Sequence, residues 1–432
     1  MAPSMTVYQN PDVERSLTSL YIGENVKSRK VAKKEMFEAK ANGDEALRAF
    51  KNNEQQTRKI KANALSGAHC SDSTILYLDT IHSSLTSMCR SATGYGNANN
   101  EKILSGNRHY WSPEIVTANI ASVIHHIDHK ALSEVLTCYQ MHIPTPDEVM
   151  ACIDFSCWWY WSNETKRANI VRLVEGLTDV ERAAFVYVGD LYHIAHHNPQ
   201  LMRDLLDRLA TRPTQGIDEP KSWVDGLTEE MAALVSMICG DRMDGQTLAA
   251  FDTFDSDLQR LLGATAKNVT QTLDTYRDFL QAILVSDVMP PTLASLPSIV
   301  RRSAITSDTD STIYTVQEWI QWHQGQINFQ EQAVNIGHAM SFLASSSITH
   351  ILANMSANVG IRESQIHQYA MKSEFYFPSF SLTSRAKTYF AHIGAQEGQV
   401  YTKPETELKG SVLHGSNSPQ YIVDEAHELI ET

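Results

Sequence analysis

Strand-forming sequence is confined to the last third of this chain, and that placement constrains the fold more than any other feature. Residues from about Ala131 to Leu293 carry helical periodicity with many acids, broken at Pro144-Thr145-Pro146, Pro213, Pro220 and Pro290-Pro291. Beyond Ser295 the texture changes. Ser303 to Thr315 is rich in β-branched residues around a Ser-Asp-Thr-Asp turn, a helix is predicted from about Val316 to Asn358, and strand-like segments follow at Glu374 to Ala391 and Glu407 to His414. The sheet must be small and covered by helices, an α+β arrangement. A length of 432 residues leaves room for two or three domains, and 42% hydrophobic against 20% charged residues excludes a largely disordered protein.

Upstream, strong helix formers run from about Glu24 to Lys40, Ala41-Asn42-Gly43 breaks the pattern, and Asp44 is an N-cap for a second helix to about Ser66. This spacing predicts an antiparallel helical hairpin. Asp72 to Cys89 suits a further helix, followed by a Gly/Asn-rich loop from Thr93 to Asn100 and an amphipathic stretch from about Pro113 to His129. The formal charge of −14 argues against a uniformly basic nucleic-acid binder, yet Lys27, Arg29, Lys30, Lys33, Lys34, Lys40, Arg48, Lys51, Arg58, Lys59 and Lys61 all fall on the hairpin. An acidic chain thus carries a local basic finger. Six cysteines without CxxC or zinc-ligand spacing read as thiols of a reducing cytoplasm. No run of 18 uncharged apolar residues and no signal-peptide pattern at MAPSMTVYQN indicates a membrane span or secretion.

Three constellations carry chemistry. Asp308-Thr309-Asp310-Ser311 sets two carboxylates at a hairpin tip, where they either face water or are held together by divalent metal. Two-metal phosphoryl transfer needs such a clamp. On the basic hairpin, Arg29 and Lys33 are four apart, as are Lys59 and Asn63, so each pair shares a helix face. Counted from the turn at ~1.5 Å per residue, Arg29 lies about 21 Å and Lys59 about 24 Å from the tip, so the pairs could meet around one polyanion such as a nucleoside triphosphate. In Arg385-Ala386-Lys387-Thr388-Tyr389-Phe390, a strand would point Lys387 and Tyr389 to one face, where they could bind a duplex groove, with Lys409-Gly410 adding backbone contact.

In this order the pieces resemble a family B DNA polymerase. The family's Arg-x₃-Lys and Lys-x₃-Asn-Ser-x-Tyr-Gly are matched by Arg29-x₃-Lys33 and by Lys59 to Gly67, which includes Asn63. Its Tyr-Gly-Asp-Thr-Asp-Ser looks like Thr306 to Ser311, its Lys-x-Tyr like Lys387-Thr388-Tyr389, and its Lys-Gly like Lys409-Gly410. The resemblance implies a fingers hairpin at 1–70 and an antiparallel-sheet palm at 71–130 and 294–415. It further implies a large all-helical insertion at 131–293 and a thumb root or tail at 416–432. It implies that Arg29, Lys33, Lys59 and Asn63 bind the dNTP, that Asp308 and Asp310 bind two Mg²⁺ ions, and that Lys387, Tyr389, Lys409 and Gly410 contact primer-template DNA.

Departures sharpen this reading. Ser66 stands at the family's fingers Tyr, Thr306-Ser307 replace Tyr-Gly, and roughly 240 residues separate the fingers and metal motifs. The family's earlier Asp-x-x-Ser-Leu-Tyr-Pro motif, whose Asp is a metal ligand, is mimicked by Ser19-Leu20-Tyr21, but Ser16 stands where the Asp belongs. The expectation is a split polymerase of bacteriophage type, acting in the infected host cytoplasm. A complementary chain would supply that Asp and an exonuclease domain. The alternatives are a catalytically inactive polymerase-derived scaffold, or another nucleotidyltransferase such as a primase-polymerase or RNA polymerase. Tyr187-Val188-Gly189-Asp190 lacks a second carboxylate. The clusters His125 to His129 and His193-x₂-His196-His197 lack a matching Cys or Glu, and Trp158 to Trp161 lacks basic neighbours; all three read as structural.

Overall fold

A computed structural model describes residues 1–157, 161, 163–243, 245–290, 299–308, 310–385, 387–410 and 419–431. The chain divides into two compact units, residues 1–92 with 358–361, and residues 93–357 with 362–432. The fold is α+β and predominantly helical, with small antiparallel sheets.

The first unit is built on α1 (Leu17–Ala41) and α2 (Glu45–Ala68), the expected antiparallel hairpin. Ser16 caps α1 by accepting from Ser19 N, Gly43 turns the chain at φ +70°, and Asp44 caps α2 by accepting from Leu47 N. Ala32, Ala39, Asn25 and Gln55 are the buried residues between the helices, so small side chains set their close approach. α3 (Asp79–Ser105) follows, and its residues from Thr93 onward belong to the second unit.

In the second unit, α4 (Pro113–His126) leads into α5 (His129–Cys138), α6 (Pro146–Ser156), α7 (Glu164–Glu175), α8 (Asp179–Tyr187) and α9 (Leu191–His197). Then come α10 (Pro199–Ala210), α11 (Pro220–Asp225), α12 (Glu229–Ile238), α13 (Ser256–Thr275) and α14 (Arg277–Leu284). The periodicity-breaking prolines 146 and 220, and Pro199 with them, open helices, since a first-turn proline loses no hydrogen bond. Tyr110, Ile120, Ile153, Phe185, Tyr187 and Phe279 lie in one core cluster shared by these helices.

The strands follow: β1 (Ala304–Asp308) and β2 (Ser311–Tyr314) form an antiparallel hairpin. After α15 (Gln317–Gln324) and α16 (Glu331–Asn358), a second antiparallel sheet contains β3 (Phe375–Tyr376), β4 (Ser379–Leu382), β5 (Tyr389–Gln396) and β6 (Gln399–Lys409). β5 is its spine, pairing β3 and β4 on one side and β6 on the other. α17 (Gln420–Glu431) closes the described chain. No described helix is long and apolar enough to cross a membrane, and among the described residues no disulfide forms.

Three elements differ from expectation. Thr93 to Asn100 is helix interior, not loop, because Asn97, Asn99 and Asn100 are buried, and the tertiary hydrogen bonds of Asn97 and Asn99 override their low helix propensity. The helix expected from Val316 to Asn358 is two helices, broken where Gly325 takes φ +77°. Lys387 lies outside β5, in the turn after β4, with φ +60°. The end of the helical region at 291–293, residues 158–160 of the aromatic block, Thr309, Ala386 and 411–414 of the last strand-like segment lie outside the described residues.

Candidate functional site

The metal-type hairpin is held from behind by one face of α3. Asn97 and Glu101 are four apart and so project from the same side of that helix. The Asn97 amide donates to Ser307 Oγ at 2.8 Å and accepts from Thr312 Oγ1 at 2.8 Å. Ser307 and Thr312 are cross-strand partners, one pair behind Asp308 and Ser311, so a single side chain ties both strands together beneath the acidic tip.

Glu101, fully buried, organises the root of β1. Its Oε1 accepts from Ser303 N and Ala304 N, each at 2.7 Å, and from Ser303 Oγ at 3.0 Å. Arg302 N lies 3.0 Å from both carboxylate oxygens, and Asn107 Nδ2 donates to Oε2 at 2.7 Å. Burial holds the nearby His109 imidazole below its usual value, against the Glu101 charge that raises it. Neither Asn97 nor Glu101 was singled out from sequence, because Gly94, Gly96 and the asparagines read as a loop. The signal that finds them is the lack of any proline from Asp79 to Ser105 with Ile103-Leu104 continuing the helix.

At the tip, Asp308 ends β1, and Asp310 N donates to Asp308 O at 2.5 Å across the turn. Lys387 Nζ stands 2.7 Å from Asp308 Oδ1. Both partners are more than a third exposed, so this ion pair adds little stability; its information is positional. Lys387 is brought to the acidic tip from a turn and does not share a strand face with Tyr389, as period-two spacing had implied. A lysine in the left-handed region costs about 1–2 kcal/mol, a strain that collects at functional positions.

The Lys-Gly pair meets the same turn. Tyr389 and Lys409 are direct partners across β5 and β6. Gly410 has φ +66°, and a Cβ there would sit 2.3 Å from Lys387 O. No side chain fits between these backbones. Gly410→Ala is therefore expected to lose the Lys387 turn and destabilise the sheet by at least about 1–2 kcal/mol. Thermal unfolding checks this, and an unchanged melting temperature would refute it. Tyr389 is half-buried, with Phe380 at 5.0 Å and Phe377 at 6.4 Å between ring centroids, and burial raises its phenol. The structure thus gathers Asp308, Lys387, Tyr389, Lys409 and Gly410 into one neighbourhood.

The hairpin cations are arranged less tightly than expected. Arg29 Nε donates to Gln55 Oε1 at 3.3 Å and Lys51 pairs with Glu35 at 2.6 Å, which fixes the register between α1 and α2. Lys59 therefore lies one turn, ~6 Å, beyond the level of Arg29, and Asn63 a further turn along. Lys33 falls on the opposite side of Arg29, with its ammonium 6.0 Å from the Phe37 ring centre. Arg29 and Lys59 are near neighbours, whereas Lys33 and Asn63 do not converge. Lys59 and Asn63 are exposed.

The residues set aside also find places. Asp190 caps α9 and is buried beside Arg108 at 2.8 Å and His193 at 2.8 Å, so it is a structural anion. Burial alone would raise its carboxyl and lower the imidazole, but their attraction wins, holding Asp190 below its usual range and raising His193 to about 10. Of the aromatic block, Trp161 donates to Asp154 Oδ1 at 2.9 Å.

Hard oxygen donors at the hairpin tip fit Mg²⁺ in kind, and the Lys387 ammonium shows that Asp308 accepts a cation at that point. Two carboxylates are fewer than a two-metal clamp uses. Among the described residues, the one gathering of three metal-competent side chains lies elsewhere, at His142, Glu148 and His197. No curated protein and no solved structure matches the chain. The model described as Divergent Family B DNA polymerase matches residues 1–432, and the chain belongs to that family.

Proposed function

We propose that this chain is a DNA-directed DNA polymerase subunit, with 1–70 as fingers, the hairpin and sheet as palm, and 131–293 as a helical insertion. The observation that carries the reading is the Asp308–Lys387 contact, which joins an acidic hairpin to a Lys-x-Tyr turn far away in sequence. Arg29 and Lys59 would neutralise the triphosphate of an incoming dNTP, with Lys33 one turn away toward the hairpin tip and Asn63 one turn away on the same face of α2 as Lys59. Asp308 and Asp310 would hold Mg²⁺, which supplies the positive charge needed where a primer 3′-hydroxyl displaces pyrophosphate. Lys387 would exchange its carboxylate partner for a primer phosphate, while Tyr389 packs on the sugar and Lys409-Gly410 approaches the backbone. Positioning and charge neutralisation do most of the work.

The third carboxylate is proposed to come from a complementary chain, which would also carry an exonuclease, in a phage-infected cell. Leu17, Leu20, Val26, Val31, Phe50 and Ile60 are large apolar residues exposed on α1 and α2, which supports a protein partner. Primer extension by the chain alone and by the complex that co-isolates with it tests the reading: Mg²⁺-dependent synthesis in the complex is expected. Absence of both synthesis and dNTP binding would favour the inactive scaffold. Lys59→Ala is expected to weaken dNTP binding about tenfold, by loss of one charge-assisted contact, without altering stability. Titration with a fluorescent dNTP checks this, and equal affinity in the variant removes Lys59 from the triphosphate site.

A further inference from the structure

The second unit brings together two histidines and a glutamate that sequence spacing gave no reason to connect. His142 comes from the loop after α5, Glu148 from the first turn of α6, and His197 from the end of α9. His142 Nε2 lies 2.9 Å from Glu148 Oε2, and His197 Nδ1 lies 3.7 Å from Glu148 Oε1. All three ligand atoms fall within 4.8 Å of one another. Tetrahedral bonds of about 2.0–2.1 Å place ligand atoms about 3.4 Å apart, so the observed separations bracket the requirement and need only small side-chain rotations. Sequence alone offers His193-x₂-His196-His197 no matching Cys or Glu. The fold supplies one, and it selects His197 and not His193, which is committed to Asp190.

The surroundings hold the ligands in place. His142 is pinned through its backbone, its N donating to Asn198 Oδ1 and its O accepting from Tyr187 Oη, each at 2.8 Å. Glu148 Oε2 accepts from Thr145 N at 2.7 Å and Thr145 Oγ1 at 3.0 Å, the capping box of α6, which fixes the carboxylate and leaves Oε1 toward His197. His142 is 41% and Glu148 34% exposed, against 10% for His197, so an ion has a path from solvent and a fourth position open to water.

We propose that His142, Glu148 and His197 form a binding site for a Zn²⁺-class transition metal. Two imidazoles and one carboxylate with an open fourth position suit Zn²⁺, whereas Mg²⁺ prefers an all-oxygen shell. The ion would staple the α5–α6 loop and α6 to α9. These helices carry Cys152, Asp190 and His193 around Arg108, so the staple acts on a buried charged junction and is independent of nucleotide chemistry.

The test titrates the full chain, first stripped with chelator, with zinc chloride, followed by calorimetry and thermal unfolding. One equivalent is expected to bind at this site and raise the melting temperature, and magnesium chloride should not displace it. His197→Ala and His142→Gln should each weaken binding by about a hundredfold or more and cancel the thermal shift. The glutamine variant retains a side-chain amide near Glu148 and guards against a folding defect. His125→Ala/His126→Ala, which removes an exposed histidine pair on α4, should leave binding intact. No saturable zinc binding, unchanged binding in both ligand variants, or loss of binding in the α4 variant would each overturn the proposal.

Discussion

Glu101→Gln is expected to destabilise the second unit by roughly 3–5 kcal/mol and to abolish any activity that depends on the acidic hairpin. The substitution preserves size and shape, so the effect isolates hydrogen-bond polarity. Every bond to the carboxylate comes from a donor: the backbone amides of Arg302, Ser303 and Ala304, the Ser303 hydroxyl and the Asn107 amide. A glutamine must turn its NH₂ toward one set of these donors whichever way it is flipped. A buried donor then faces a donor, with no water to relieve it. Differential scanning calorimetry reads the loss, and a variant that melts with the parent protein would show that Glu101 is not the anchor of β1. Asn97→Ala, by contrast, leaves the strand ladder itself intact and serves as the milder comparison.

Asp310→Asn is expected to reduce primer extension by the assembled complex about a thousandfold or more, with the fold unchanged. Asp310 lies in the turn, outside the strand ladder, so its replacement removes charge without removing a ladder hydrogen bond. Asp308→Asn should match it in activity while also releasing Lys387. Lys387→Ala provides the contrast: loss of primer affinity with Mg²⁺ dependence retained. Single-turnover extension at saturating DNA separates these effects. Synthesis at the parent rate by the Asp310 variant would refute the metal assignment.

Much of the fold could be read from local chemistry. Ser-Asp-Thr-Asp between β-branched runs gave the hairpin of β1 and β2, and Asp44 after Asn42-Gly43 gave the start of α2, because turns and caps are decided by a few adjacent residues. The parts that escaped are those decided at a distance. Asn97 looks like a loop residue until burial against β1 makes helix the better state, Glu101 follows that expected loop, and Gly325 breaks a long periodicity that otherwise continues. Lys387 was assigned a strand face by its spacing to Tyr389, yet a positive φ carries it to Asp308. The Arg29–Gln55 bond likewise sets a helix register that residue counting from Gly43 could only bracket. His142 and Glu148 reach His197 through three separate elements, a juxtaposition to which no linear pattern corresponds.

The contact between Gly410 and Lys387 O has a consequence for recognising distant kin. A residue that leaves no room for a side chain is coupled to a residue held at positive φ, so the two positions must change together or not at all. Such a steric fit is harder to replace than a charge or an apolar contact, which many substitutions can supply. A glycine ending one strand, set against a left-handed residue just before its neighbour, is a two-position fingerprint by which further members can be sought.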